Sequence, residues 1–233
     1  DTIDSDNDIS NTANRISGVI LRSARGNSGA ILALFFRGLA KSFGGAVVAG
    51  SREFAEAFKR GTEEAYKAVM NPTEGTILTV MRECADDAIE ETSKPGFKDD
   101  IVAFFERVVK KAEETLQKTP DLLPVLKQAN VVDAGGSGFV TMLNGMYSEL
   151  INKPVKKNDT SAKAAKESAD FSDFNTADIK FGYCTEFIIL VEKEFTESDE
   201  ANVKAYLESI GDSIVCVADD DVVKIHVHTN DPG

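Results

Sequence analysis

The residues best suited to chemistry form a glycine-rich turn that leads directly into a helix. Arg25-Gly26-Asn27-Ser28-Gly29 is followed at once by an apolar run from Ala30 to Phe36. Glycine lets a backbone approach a ligand closely, while Asn27 and Ser28 can cap the helix. Because the first N–H groups of a helix lack partners within it and carry its positive dipole end, such a turn favours phosphate. A capped helix with closely packed small residues fits the same pattern, and without a Gly-Lys-Ser/Thr step the turn is not a Walker A loop.

Two further turns of similar composition open helices elsewhere in the chain. One contains Asp133, Gly135 and Gly136, and the other ends in Glu74-Gly75-Thr76. Three polar, glycine-bearing helix openings predict one rim of a helical bundle that receives a phosphate-bearing ligand. The alternative is that they are ordinary helix–helix turns, which need glycine and proline for their own geometry.

The only two histidines of the sequence lie in one predicted strand. His226 and His228 are two residues apart, so a strand places both imidazoles on one face. Cys184 lies near the start of another predicted strand and could supply a thiolate. One cysteine and two histidines with an open position are typical of catalytic zinc. Two exposed polar residues on a half-buried strand are the alternative.

Hydrophobic periodicity assigns helices to the first part of the chain and strands to the last. Residues 1–151 predict a mostly α domain, an antiparallel helical bundle. Residues 152–178, rich in Lys, Ala, Ser and Asp, predict a flexible linker. Residues 179–233 predict a small, incomplete α+β domain of β-α-β-β order. Within the bundle, Thr119-Pro120 is predicted to start a new short helix, because proline fits the first helical position.

Composition excludes several classes of function. The 233 residues carry 26 basic and 39 acidic side chains, a net charge of −13, which argues against binding to nucleic acid or to anionic membranes. No apolar run approaches the roughly 20 residues of a membrane span. Three widely spaced cysteines predict a reducing, cytoplasmic environment. A first residue other than Met and the turn-like end Asp231-Pro232-Gly233 predict a fragment cut at both ends.

Several of these motifs together resemble the helical ATP-binding domain of the dihydroxyacetone kinase superfamily, in its L-subunit-like branch. More narrowly, the chain resembles the catalytic proteins of bacterial fatty acid kinases, and the last two motifs resemble the start and end of the middle domain of that family. The motifs are Ala24 to Gly29, Tyr66 to Met70 leading into Pro72, Glu74 to Thr79, Asp133 to Gly136, Phe181 to Phe187 and His226 to Gly233.

The resemblance implies a barrel of antiparallel helices with ATP at one rim. It implies phosphate contacts from Asn27, Ser28 and Gly29 beside Arg25. It further implies that Thr76, Asp133, Gly135 and Gly136 line the nucleotide. The expected reaction transfers the γ-phosphate to the carboxylate of a fatty acid, which a separate fatty-acid-carrying protein presents. In the middle domain, Cys184, His226 and His228 are expected to bind Zn²⁺.

One motif of the family does not occur in the sequence. These domains hold two Mg²⁺ ions through an Asp-x-Asp-Thr-Gly segment near the N-terminus, and the 233 residues contain none. We therefore expect the Mg²⁺ ligands outside this chain, assign no catalytic residue and expect the fragment alone to be inactive. The nucleotide-binding subunit of a dihydroxyacetone-type kinase is one alternative. A non-enzymatic, zinc-bearing docking or regulatory module is another, and a homodimer stays open.

Overall fold

The computed structural model describes residues 8–69, 71–153, 180–219 and 222–233. In these ranges the chain forms eight helices and three strands, which confirms a mostly α protein followed by a small α+β part. Most of the predicted linker, 152–178, lies outside the described residues. The helices are α1 (Ile9–Ser23), α2 (Gly26–Ser42), α3 (Ser51–Ala68), α4 (Ile77–Thr92), α5 (Ile101–Leu122), α6 (Pro124–Ala129), α7 (Ala134–Leu150) and α8 (Glu197–Ile210), and the strands are β1 (Tyr183–Leu190), β2 (Gly211–Asp219) and β3 (Val222–Thr229).

Side-chain caps begin several of these helices. The Asp8 carboxylate accepts from the N–H of Asn11 at 3.1 Å, at the start of α1. Thr196 and Asp199 form a reciprocal capping box at the start of α8. Each such cap satisfies backbone donors that the helix itself leaves without partners. The caps therefore fix where the helices begin.

The helix start predicted at Thr119-Pro120 is wrong. Helix α5 runs through Pro120 to Leu122, and the next helix begins with Pro124 at its first position. Proline at position 120 cannot donate to the carbonyl of Leu116. The Thr119 hydroxyl donates to that carbonyl instead, at 2.7 Å, so the last turn of α5 keeps the acceptor satisfied.

The chain folds into two compact units. The first contains the described parts of Asp1–Ala49, Arg60–Pro72 and Asn175–Gly233. Its sheet has the order β1-β3-β2, and both strand pairs are antiparallel, so β3 is central. One face of the sheet packs on α8 through residues such as Cys216 and Ile225. The other face packs on α1 and α2, where Val215 and Val217 of β2 contact an apolar cluster.

The second unit contains the described parts of Gly50–Lys59 and Thr73–Phe174. Helices α4, α5 and α7 pack on one another, and α5 also packs on the short α6. Four aromatic rings strengthen the core between the start of α3 and α5, with edge-on geometries among neighbouring rings. They belong to Phe54, Phe58, Phe104 and Phe105.

Candidate functional site

The start of α2 carries the first glycine-rich turn. Arg25 is extended (φ −130°, ψ 154°) and takes the capping position, but its side chain makes no capping bond. The prediction that Asn27 and Ser28 cap the helix is therefore wrong: both lie inside its first turn. Helix geometry leaves the N–H groups of Asn27 and Ser28 without intrahelical acceptors. These two donors are well placed to bind an anion, whereas Gly29 packs closely on Ala24.

One acceptor already occupies the first N–H group of this helix. Gly26, with φ +70°, donates to the Glu186 carboxylate of β1 at 3.1 Å. A left-handed φ is readily adopted only by glycine, so this residue type is required where the chain turns into α2. The bond fixes the turn to the edge strand of the sheet within the same unit.

The two other predicted turns meet in the second unit. The Asp133 carboxylate accepts from the N–H of Gly136, at 2.7 Å, and from the N–H of Ile77. Burial raises the pKa of Asp133, while these two backbone donors oppose the rise. Thr76 occupies the capping position of α4 and donates its hydroxyl to the Thr73 carbonyl. One carboxylate therefore joins the starts of α4 and α7.

A cleft of about 480 Å³ opens beside the Gly75 turn. Glu74 accepts from the Thr79 hydroxyl at 2.7 Å and from the Arg82 guanidinium at 3.0 Å. Sequence analysis missed Arg82 and Lys118 in this region. Their signal was helical spacing, because Arg82 follows Thr79 by one turn. The cleft is lined by Glu74, Thr79, Arg82, Glu83, Thr115, Lys118, Asp121 and Leu122.

Replacing Asp133 with alanine is expected to lower the free energy of unfolding by about 1–2 kcal/mol, because two backbone donors lose a partly buried acceptor. Asp100→Ala is the matched control. Asp100 also accepts from two backbone N–H groups, but it is exposed and serves α5 alone. Urea denaturation of both variants measures the difference. Equal losses would contradict a special role for Asp133 in joining two helices.

The cysteine and both histidines of the predicted metal site come together on the sheet. The ligand atoms of Cys184, His226 and His228 all lie within 4.8 Å of one another. Cys184 pairs with His228 across β1 and β3, and its sulfur lies 3.9 Å from Nε2 of His226. Among the described residues, no other group of three acidic, histidine or cysteine side chains has such spacing. His226 is fully buried, so the alternative of two exposed polar residues is wrong for this histidine.

The surroundings of the two imidazoles suit a metal. Burial lowers the pKa of His226, and the neighbouring His228 lowers it further. The neutral imidazole is the form that binds metals. Nδ1 of His226 is buried and has no hydrogen-bond partner in the described parts of the chain. Nδ1 of His228 lies 3.8 Å from the Asp212 carboxylate, which can orient that ring.

A buried ion pair lies next to this cluster, and sequence analysis missed it. Lys224 is fully buried, and its ammonium lies 2.8 Å from the Glu186 carboxylate and donates to the carbonyl of Ala24. Burial acts to raise the pKa of Glu186, but the bonds from Lys224 and Gly26 lower it overall. The signal in the sequence was a lysine inside an apolar strand, two residues before His226.

Comparison with known families matches both parts of the chain. Residues 1–148 match the model of the DAK2 domain. Residues 180–233 match the model of the FakA-like middle domain of fatty acid kinases. The first model alone covers more than half of the sequence, and the two matches follow each other without overlap.

Several curated bacterial proteins are similar over nearly the whole chain. An uncharacterized protein of Staphylococcus saprophyticus is 41% identical over 220 residues, which cover 92% of this chain and 39% of the relative. Protein YloV of Bacillus subtilis is 38% identical over 232 residues, covering 97% of this chain and 41% of YloV. An uncharacterized protein of Staphylococcus aureus is 39% identical over 218 residues, covering 92% and 39%. The chain thus spans about two fifths of the length of these relatives.

Proposed function

The chain belongs to the family of proteins that join a DAK2 domain to a FakA-like middle domain, and on this premise we propose that it is the ATP-binding part of a fatty acid kinase. The reaction transfers the γ-phosphate of ATP to the carboxylate of a fatty acid and yields an acyl phosphate. The observation that carries the proposal is the presence of both domains in one chain. A dihydroxyacetone-type kinase would need the first domain without the second.

The nucleotide contacts follow from the backbone donors at the helix starts. In the first unit we assign phosphate binding to the N–H groups of Asn27 and Ser28, with Arg25 adding positive charge and Gly29 keeping the turn narrow. Phosphoryl transfer depends chiefly on positioning and on neutralising charge, which suits such a rigid turn.

The second unit supplies the other assigned contacts. Thr76, Asp133, Gly135 and Gly136 are assigned to the nucleotide, and the Asp133 carboxylate holds the two helix starts together. Gly136 has no room for a side chain: a Cβ there would lie 3.1 Å from Leu116 and from Val80. This close packing fixes the first turn of α7.

Two metals belong to the proposal. Mg²⁺ bound with ATP would neutralise charge on the phosphates, and its protein ligands are assigned to the Asp-x-Asp-Thr-Gly segment that these 233 residues do not contain. Zn²⁺ is assigned to Cys184, His226 and His228, because a thiolate and two imidazoles at this spacing fit a tetrahedral ion with one further ligand. When bound, the zinc would cross-link β1 to β3.

The proposed partner is a protein that carries the fatty acid. No helix that the structure describes is long and apolar enough to cross a membrane. A carrier would keep the acyl chain out of water and present its carboxylate. This partner accounts for the coupling of a kinase domain to a further module in the family.

The test compares phosphoryl acceptors. The full-length gene product is incubated with ATP, Mg²⁺ and a carrier protein loaded with fatty acid, and acyl phosphate is trapped with hydroxylamine as the hydroxamate. We expect product only when ATP, Mg²⁺ and carrier-bound fatty acid are all present. Free dihydroxyacetone serves as the competing acceptor. Phosphorylation of dihydroxyacetone without any acyl phosphate would overturn the proposal.

A further inference from the structure

We propose that Glu186 and Lys224 are positioning residues that couple the Cys184–His226–His228 cluster to the turn at the start of α2, so that zinc and ATP strengthen the binding of one another. The inference rests on the proposed function, because it takes zinc and ATP as the ligands of these two sites. It adds a regulatory link between them. All the contacts that carry it lie within the first unit of the chain.

The two sites share the same pair of strands. Glu186 follows Cys184 by two residues on β1, and Lys224 precedes His226 by two residues on β3, so all four lie on one face. Cross-strand pairing places Glu186 opposite His226. Because the partner of His226 on β2 is Val215, which packs against α1 and α2, this is the face that α2 covers.

The ion pair reaches from this face to the start of α2. Lys224 donates to the carbonyl of Ala24, and Glu186 accepts from the N–H of Gly26. Both bonds end within three residues of Asn27. Without Lys224, a carboxylate next to the helix N-terminus would repel a phosphate bound there. Lys224 therefore neutralises Glu186 as well as holding the turn.

Strand β1 provides the two states that coupling requires. It is an edge strand, which among the described strands pairs only with β3, and most of its residues are exposed. When β1 is docked, Cys184 lies beside the histidines and Glu186 reaches Gly26; when it is displaced, both arrangements are lost together. Zinc binds the docked state better because its three ligands come from both strands. ATP binds that state better because the turn is then held, so each ligand favours the other.

The experiment measures ATP affinity in two metal states of the same protein. The chain is loaded with one equivalent of Zn²⁺ and freed of excess by dialysis, or stripped with a chelator that is then removed. Titration calorimetry gives the Kd for ATP in each state. We expect the stripped protein to bind ATP about fivefold more weakly, at the lower end of typical coupling between sites. The reciprocal titration should show ATP tightening zinc by the same factor.

Variants separate positioning from folding. Glu186→Gln is expected to weaken ATP binding and to remove most of its dependence on zinc, and the double variant Glu186→Gln/Lys224→Met keeps the buried site neutral so that the fold is preserved. The matched control is Glu200→Gln/Lys204→Met, which removes an ion pair of 2.6 Å on α8 in the same unit. This control should keep the zinc dependence of wild type. A purely structural role for the buried pair would change stability but leave that dependence intact.

Each result has one meaning. Wild-type chain that binds ATP with equal affinity in both metal states contradicts the coupling and leaves the proposed function standing. Chain that binds no ATP in either state contradicts the proposed function itself. Zinc dependence that survives in the double variant overturns the roles of Glu186 and Lys224. The reciprocal titration on wild type decides the coupling even where a variant fails to fold.

Discussion

Replacing Cys184 with alanine is expected to weaken zinc binding by more than about 100-fold, because loss of a direct ligand costs more than the 10–100-fold typical of residues that only orient ligands. The sulfur of Cys184 lies 3.9 Å from Nε2 of His226, and among the described residues no other cysteine belongs to this group. Elemental analysis of protein purified without added metal measures the zinc bound per chain.

Cys216→Ala is the matched control for this experiment. Cys216 lies on β2 of the same sheet, but its side chain packs in the apolar core against α8. Burial raises the pKa of its thiol to about 11, so it stays protonated at neutral pH. This variant should keep the zinc content of wild type. Unchanged zinc in Cys184→Ala would remove Cys184 from the site.

Replacing Lys224 with methionine is expected to lower the free energy of unfolding by about 3–5 kcal/mol. The change leaves the Glu186 carboxylate without its cation beside a fully buried position, and breaking one half of a buried ion pair is strongly destabilising. Adding Glu186→Gln to this variant should recover much of the loss, since two neutral side chains can replace a buried pair. Urea denaturation of the single and double variants gives the comparison.

Lys204→Met is the control for the lysine change. Lys204 pairs with Glu200 one helical turn away on α8, and pairs of this kind contribute only about 0.3–0.5 kcal/mol. Its loss should therefore be several times smaller than that of Lys224→Met. A similar small loss for both variants would show that the buried pair does not hold the sheet to α2.

The fold class followed from patterns that are local in the sequence. Apolar residues at helical spacing predicted the helices of the first part, and alternation predicted β3 with both histidines on one face. Local patterns also have limits. Pro120 looked like a helix start, but the hydroxyl of Thr119 satisfies the carbonyl that proline cannot, so α5 continues.

The candidate site was harder to predict where distant residues meet. The spacing of His226 and His228 could be read directly, and Cys184 was added as a ligand on a neighbouring strand. Glu186 bonds to Gly26, which lies 160 residues away, and no periodicity in the sequence carries that information. The same holds for Asp133, whose bond to Ile77 depends on how α4 and α7 pack.

The most direct test of the account is an ATP titration of wild-type chain and of Ser28→Asp. Ser28 is exposed in the first turn of α2, where an acidic residue suits the helix dipole but repels phosphate. Ser209→Asp, at an exposed position near the end of α8, adds the same charge elsewhere in the unit. Wild type and Ser209→Asp should bind ATP, while Ser28→Asp should bind more than about tenfold more weakly with no loss of thermal stability. ATP binding by Ser28→Asp as tight as that of wild type would contradict the assignment of this turn to the phosphates.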